Sequence, residues 1–209
     1  MSLFITFEGG EGSGKSVQSR ALYRKLSRLA IPALLTHEPG GTPLGRRLAR
    51  WLKWAASTDI SPLTELLMFN ASRAQLVAEV IQPALKAGKV VICDRYADST
   101  IAYQSYGRGL NLETVKAVNS AATQGLKPTL TILLDIPVEE GLARKADKKP
   151  DRFEQENAAF HRRVRQGFLK MAASEPERWL VVDSGQPRAR VEQIIWQKVS
   201  QLLSATRGA

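Results

Sequence analysis

The chain reads as an α/β protein, a parallel sheet of about five strands covered by helices on both faces, and three observations predict it. Short apolar runs at 3–7, 33–35, 90–93, 130–134 and 180–182 alternate with stretches of helical periodicity. These runs are continuously apolar, as strands buried on both faces are. The first leads directly into Gly9-x-x-x-x-Gly14-Lys15-Ser16, a glycine-rich turn that opens a helix.

That turn is a P-loop pattern in the right context on both sides. Its glycines let backbone N–H groups converge on phosphate oxygens. Lys15 reaches the terminal phosphates, Ser16 offers a hydroxyl to Mg²⁺, and the following helix adds its N-terminal dipole. Val17, Ala21, Leu22, Leu26 and Leu29 mark the apolar stripe of that helix. The chain has 209 residues, 44% of them hydrophobic, which suits one domain over residues 1–209. A formal charge of +10, from 30 basic and 20 acidic residues, favours polyanionic partners or a solvated basic surface. No apolar run approaches bilayer length, so a helical membrane span is excluded. The strand beginning at Leu3 leaves no room for a signal peptide, and Cys93 is the single cysteine, so a cytoplasmic protein without disulfides is expected.

Ligands of parallel sheets sit at the carboxyl ends of the strands. After the second strand comes His37-Glu38-Pro39-Gly40-Gly41-Thr42-Pro43, a loop whose last proline opens a helix bearing Leu44, Leu48, Trp51, Leu52 and Ala55. Ser61 and Pro62 form an N-cap and first-turn pair for a long helix through Leu63, Leu66, Leu67, Phe69, Ala74, Val77 and Ile81, ending near Gly88. Within it Phe69 and Arg73 share a face, as a base-stacking ring beside a donor or as core beside a surface charge. Strand three ends in Asp94-Arg95-Tyr96, where P-loop enzymes place an acid toward hydrated Mg²⁺ and where an arginine fork suits phosphate. Asn111 caps the next helix, which ends before Gly125. The cationic stretch at about 144–152, with Pro150 inside it, reads as a mobile lid closing over a triphosphate, or as an exposed basic loop. Phe160, Val164, Phe168 and Met171 then give core spacing, with His161 expected on the solvated side. The last helix carries Val191, Ile194, Ile195, Val199 and Leu202, and residues 204–209 are expected to fray.

Taken together, Glu8 to Ser16, Glu38-Pro39-Gly40-Gly41-Thr42, Phe69-x-x-x-Arg73, Asp94-Arg95-Tyr96, Tyr103-Gln104 and Asp151-Arg152-Phe153-Glu154 resemble the bacterial thymidylate kinases, over nearly the whole chain. The resemblance implies a doubly wound P-loop kinase with a lid, a homodimer, and transfer of the γ-phosphoryl of ATP to dTMP with Mg²⁺, giving dTDP for dTTP biosynthesis. It implies no membrane and no stable nucleic-acid partner. By the same resemblance Gly9, Gly10, Glu11, Gly12, Ser13, Gly14, Lys15 and Ser16 hold ATP phosphates, and Arg144 and Gln186 lie near adenine. Phe69 would stack on thymine, Arg73 would donate to a base carbonyl, and Arg95 would hold the acceptor phosphate. Glu11 would meet the sugar 3′-hydroxyl. Glu38, Arg50, Ser99, Thr100, Tyr103 and Gln104 would complete the acceptor pocket, and Ser16 and Asp94 would serve the metal, the latter through water. Eukaryotic members carry a P-loop arginine where Gly12 stands here, so the lid must supply that cation, with Arg152 the candidate beside Lys15, Arg95 and Glu11. His37, Val17 and Thr129 depart from the usual pattern without removing a reacting group. Two other readings remain: a kinase for another nucleoside monophosphate, and a nucleic-acid-binding P-loop ATPase. Against the second, the chain lacks Asn-Lys-x-Asp, and strand three ends in Asp-Arg rather than Asp-Glu.

Overall fold

The computed structural model describes residues 2–54, 60–145 and 150–205. In chain order the elements are β1 (Phe4–Glu8), α1 (Lys15–Arg28), β2 (Ala33–His37), α2 (Pro43–Trp54) and α3 (Pro62–Leu76). Then follow a π-helical turn (Val77–Ile81), α4 (Gln82–Lys86), β3 (Val90–Asp94), α5 (Ala97–Thr100) and a second π-helical turn (Ile101–Gly107). The rest is α6 (Leu112–Thr123), β4 (Leu130–Asp135), α7 (Val138–Ala143), α8 (Ala158–Ser174), β5 (Trp179–Asp183) and α9 (Arg188–Ala205). Five strands form one sheet in the order β2-β3-β1-β4-β5, and every pairing is parallel.

Alternation along the strands divides the core. Ile5 and Phe7 of β1 pack with Leu22 and Leu26 of α1 and Val191, Ile195 and Val199 of α9. On the other face Phe4, Val91 and Cys93 meet Leu76, Val77 and Ile81, while Leu133 joins Tyr103, Phe153, Phe160 and Phe168. Helices on both faces bury β1, β3 and β4, which explains their continuous apolar character, whereas β2 is partly covered and Val181 of the edge strand β5 is exposed. Each strand extends beyond its apolar run, to Glu8, His37, Asp94, Asp135 and Asp183, because backbone pairing continues into polar residues at the ends that face the ligand side.

Several helix ends follow the expected chemistry. Ser61 caps α3 by accepting from the Thr64 amide with Pro62 in the first turn, and Asn111 caps α6 through the Thr114 amide. Other details differ. The long helix is interrupted by the π turn just before Pro83, where the Gln82 amide bonds back to the Val77 carbonyl. Proline cannot donate to the carbonyl four residues earlier and its ring crowds that carbonyl, so a wider turn relieves the clash. Leu44 and Trp51, placed by periodicity on a core face of α2, are exposed, and Leu52 and Gly45 face inward. Ser204 and Ala205 belong to α9 rather than to a frayed end. Ala55, residues 146–149 of the expected lid and residues 206–209 lie outside the described residues. The end of the lid segment is fixed, contrary to its expected lack of packing. Phe153 is buried, and the Arg152 amide bonds to the Lys53 carbonyl at 3.2 Å. Among the described residues no helix is long and apolar enough to cross a membrane.

The clearest correction is His161. It is 4% exposed, packed edge-on against Phe160 with ring centroids 5.5 Å apart, and it borders a small cavity with Gly10 and Glu11. Burial lowers its pKa below the ordinary 6.5, with Glu11 pulling the other way. Below pH 6.5 the unfolded chain therefore binds more protons at this position than the folded one. The stability His161 confers is complete above pH 6.5 and is lost as the pH falls below it. Urea midpoints of wild type and His161→Gln, measured between neutral pH and the mildly acidic range, should show a shallower acid decline in the variant. Equal slopes would return His161 to the solvated surface.

Candidate active site

The carboxyl ends of β1, β2 and β3, with α3, α5 and the segment after α7, enclose a cleft of about 1170 Å³. At its floor Gly14, with φ 88°, caps α1, and the first N–H groups of that helix have no intrahelical partner. Lys15 lies folded back on the loop, its Nζ donating to the Gly10 carbonyl at 2.6 Å and to Ser13 Oγ at 3.2 Å. Burial, then Arg95, lowers its pKa to about 7, against the pull of Glu11 and Asp94. An entering polyphosphate would restore its charge. The Ser16 hydroxyl donates to Asp94 Oδ2.

Glu11 joins the P-loop to the far wall. Its Oε1 accepts from Arg95 Nη2 and from the Tyr103 hydroxyl, both at 2.8 Å, and its Oε2 accepts from Lys145 Nζ at 2.7 Å. Burial alone would raise its pKa, yet Arg95, Lys15 and Lys145 together hold it well below the carboxylate range. Arg95 also donates to the Gly9 carbonyl at 3.1 Å and to Ser99 Oγ at 3.2 Å, and lies 5.1 Å from the Tyr103 ring centroid. Its φ of 69° is left-handed, which costs a residue with a Cβ about 1–2 kcal/mol. Burial opposes its charge, and Tyr103, Glu11, Asp94 and Glu8 outweigh burial, so the guanidinium stays protonated.

Arg73 is 1% exposed, and all five of its N–H donors are engaged. Nε and Nη2 reach Glu38 Oε2 at 2.8 and 2.6 Å, Nη1 reaches Asn70 and Asn119, and Nη2 also reaches the Tyr96 carbonyl. A donor to a base must therefore be shared or released by one of these partners. Glu38 Oε1 and Thr100 Oγ1 are buried without a hydrogen-bond partner among the described residues, and both residues line the cleft. They are acceptor capacity left for a ligand. Phe69 lines the same wall, its ring 5.6 Å from Phe153.

Of the residues singled out from the sequence, the cleft brings together Glu11, Gly12, Gly14, Lys15, Ser16, Glu38, Arg50, Phe69, Arg73, Asp94, Arg95, Ser99, Thr100, Tyr103 and Gln104. Gly9, Gly10 and Ser13 support the loop from behind through the contacts given above. Arg144 donates to the Ser184 carbonyl at 3.2 Å, which sets it beside the Gln186 loop and away from the cleft lining. Arg152 also points elsewhere. It pairs with Glu65 and donates to the Leu52 carbonyl at 3.0 Å. Glu65, fully buried, further accepts from Gln104 at 2.8 Å and from Arg108 at 3.3 Å, so one carboxylate ties α3, the second π turn and Arg152 together.

The residue missed from the sequence is Lys145. It reaches both Glu11 and Glu154, and all three line the cleft. Nothing in the run Arg144-Lys145 separates the two cations locally. What selects Lys145 is the close approach of α7 to the P-loop: a Cβ on Gly12 would stand 1.9 Å from the Gly141 carbonyl oxygen, and one on Gly141 would stand 2.3 Å from the Glu11 carbonyl oxygen. Gly12 also has φ 69°. No side chain fits at residue 12, an arginine least of all.

A parallel sheet in the order 2-3-1-4-5 with a P-loop on its central strand, and with Arg95 and Lys145 both paired to Glu11 of that loop, defines an ATP-dependent nucleoside monophosphate kinase. The thymidylate kinase family profile matches residues 7–195. The chain is 58% identical over 203 residues to a thymidylate kinase of Dehalococcoides mccartyi, covering 97% of this chain and 98% of that one. It is 50% identical over 200 residues to a thymidylate kinase of Deinococcus radiodurans, covering 95% and 97%. It also superposes on the crystal structure of thymidylate kinase from Ehrlichia chaffeensis with a TM-score of 0.78 at 33% identity, over 95% of this chain and 98% of that one. This chain belongs to the thymidylate kinase family.

The Gly12–Gly141 contact gives a direct test. Gly12→Ala should cost about 3 kcal/mol, from overpacking against backbone plus a disfavoured φ, and should weaken ATP binding. Gly10→Ala, where an added Cβ meets nothing within 4 Å, should cost less than about 1 kcal/mol. Chemical denaturation of both variants measures the difference, and equal stabilities would contradict the close approach.

Proposed function

We propose that this chain transfers the γ-phosphoryl group of ATP to dTMP, giving dTDP and ADP. The observation that carries the reading is the bridge through Glu11, which sets the P-loop of the donor side and Arg95 of the acceptor side against each other in one cleft. Lys15 and the free amides of α1 hold the donor phosphates, and Arg95 holds the phosphate of the acceptor. The acceptor base lies against Phe69, where Arg73 shares a donor with it and Thr100 Oγ1 offers an acceptor to an N–H on its edge. Glu11 and Tyr103 face the sugar. Transfer asks for little covalent chemistry, so alignment and neutralisation supply the acceleration. The oxygens of Ser16 and Asp94, already in contact beside Lys15, suit Mg²⁺, which accepts one or two protein oxygens and keeps its waters. Ser16 and Asp94 would hold that ion, which would supply positive charge against the charge developing on the transferring group.

With no side chain admitted at Gly12, the lid supplies the remaining cation. Lys145 already reaches Glu11, whereas Arg152 would first have to leave Glu65 and the Leu52 carbonyl. Purified protein with ATP and Mg²⁺ should phosphorylate dTMP in preference to UMP or dCMP in a coupled ADP-release assay, and a reversed preference would reassign the acceptor. In the same assay Lys145→Ala should lower kcat by about two orders of magnitude with a modest change in dTMP KM. Arg152→Ala should do less, and the opposite ranking would give the role to Arg152.

We further propose a homodimer formed over α2 and α3. These helices pack on each other and expose Leu44, Trp51, Leu63 and Leu67, each about half exposed. The resemblance to thymidylate kinases supplies the occupant, a second copy of the chain. Sedimentation should give a dimer for wild type and a monomer for Trp51→Glu combined with Leu67→Glu; a monomeric wild type would remove the assembly. Cytoplasmic action fits this reading, with Cys93 a buried, unpaired thiol.

A further inference from the structure

Glu8, the last residue of β1, has no exposed surface, and none of the roles above uses it. A buried carboxylate is costly unless its oxygens are engaged, and the partners of this one lead to Arg95. One oxygen, Oε1, accepts the Tyr96 amide at 2.8 Å, so it pins the peptide that follows the left-handed Arg95. The other, Oε2, accepts the Ser99 hydroxyl, and Ser99 Oγ in turn accepts from Arg95 Nη1 at 3.2 Å. On the preceding side the Arg95 amide is held by the Phe7 carbonyl at 2.9 Å, the residue next to Glu8. The charged groups facing Glu8 are Asp98, itself paired with Arg178, and Arg95. Burial and Asp98 push the Glu8 carboxyl up to about 8, and the contacts with Ser99, Arg95 and the Tyr96 amide favour its ionised form.

We propose that Glu8 is the positioning residue for Arg95: it holds the turn at Arg95 through the Tyr96 amide and aims the guanidinium at the acceptor phosphate through Ser99. The inference rests on the reading of Arg95 as the acceptor-phosphate contact. Above about pH 8, where this carboxyl ionises, both of its oxygens accept. An amide of the same shape keeps one acceptor and turns the other position into a donor, which reverses the Ser99 hydroxyl and sets it in competition with Arg95.

The test is calorimetric titration of the full chain, at about pH 9 where Glu8 is ionised, with dTMP and with thymidine, which lacks the phosphate that Arg95 would hold. Glu8→Gln should weaken dTMP binding about tenfold and leave thymidine binding and the KM for ATP unchanged. Ser99→Ala should reproduce the loss, and the double variant should be no worse than either single one, because both cut the same chain of contacts. Should Glu8→Gln fail to fold, Ser99→Ala alone must still discriminate dTMP from thymidine. Equal weakening of both ligands, an unaffected Ser99→Ala, or losses that multiply in the double variant would each overturn the inference. If wild type binds neither ligand, the acceptor reading itself has failed. The comparison then runs with the monophosphate the protein does turn over and its nucleoside, and loss of the Glu8→Gln effect there still overturns the role of Glu8.

Discussion

The hydrogen bond from the Arg95 amide to the Phe7 carbonyl, 2.9 Å long, is the contact on which the site depends. It extends the parallel pairing of β1 and β3, in which Phe7 lies opposite Asp94, by one further step. That register brings the start of the P-loop and the turn after β3 side by side. Ser16 then meets Asp94, Glu11 meets Arg95, and the Gly9 carbonyl receives the same guanidinium. Because side chains alternate along a strand, a slip of one residue would turn Asp94 from the cleft into the apolar layer and undo all three contacts. The continuous hydrophobic strands therefore do more than fill the core. They set two polar strand ends at a spacing suited to a polyphosphate.

Charge within the cleft is balanced by the protein's own groups. Lys15, Arg95 and Lys145 converge on a largely buried space where unopposed cations would repel one another. Glu11 answers all three, and Glu154 shares Lys145. The protein balances the site with its own carboxylate. On the proposed reading, a phosphate arriving beside Arg95 or Lys145 would compete with Glu11 for the same donors, so binding would exchange one set of ion pairs for another. Affinity under such an exchange comes from the difference between carboxylate and phosphate contacts, and for Lys15 from the charge a phosphate restores. The full Coulomb attraction of each cation overstates it.

Legibility from sequence followed the range of the interactions. The P-loop and Asp94-Arg95 are compact motifs at strand ends, and their meeting in one cleft could be read because neighbours in the chain are neighbours in the site. Phe69 and Arg73 could be placed on one helix face, but the burial of Arg73 could not be read, since Glu38 and Asn119 lie 35 and 46 residues away. His161 was legible in principle. It stands three and seven residues before Val164 and Phe168, on the same helical seam, and its polarity argued for the wrong side. Leu44 and Trp51 mislead in the opposite direction, because their spacing marks an apolar face without saying what covers it. Lys145 had no local mark at all. Its selection comes from backbone packing between two glycines 129 positions apart, a tertiary fact that a charge run conceals.

That packing also bears on where a mobile cation can come from. With Gly12 against the Gly141 carbonyl, the P-loop and the middle of α7 pack backbone to backbone as one block, and neither residue tolerates a side chain. Lys145 leaves this block two residues after α7 ends, and Arg152 rejoins the body through Glu65 and the α2 carbonyls. Lys145 thus lies on the P-loop side of the cleft and Arg152 on the α2–α3 side. A cation on the first side can approach the P-loop by rotating its own side chain, whereas one on the second must first break a buried ion pair. The exclusion of a side chain at Gly12 and the placement of Lys145 are two consequences of one contact, since the approach that leaves no room in the loop delivers a lysine above it.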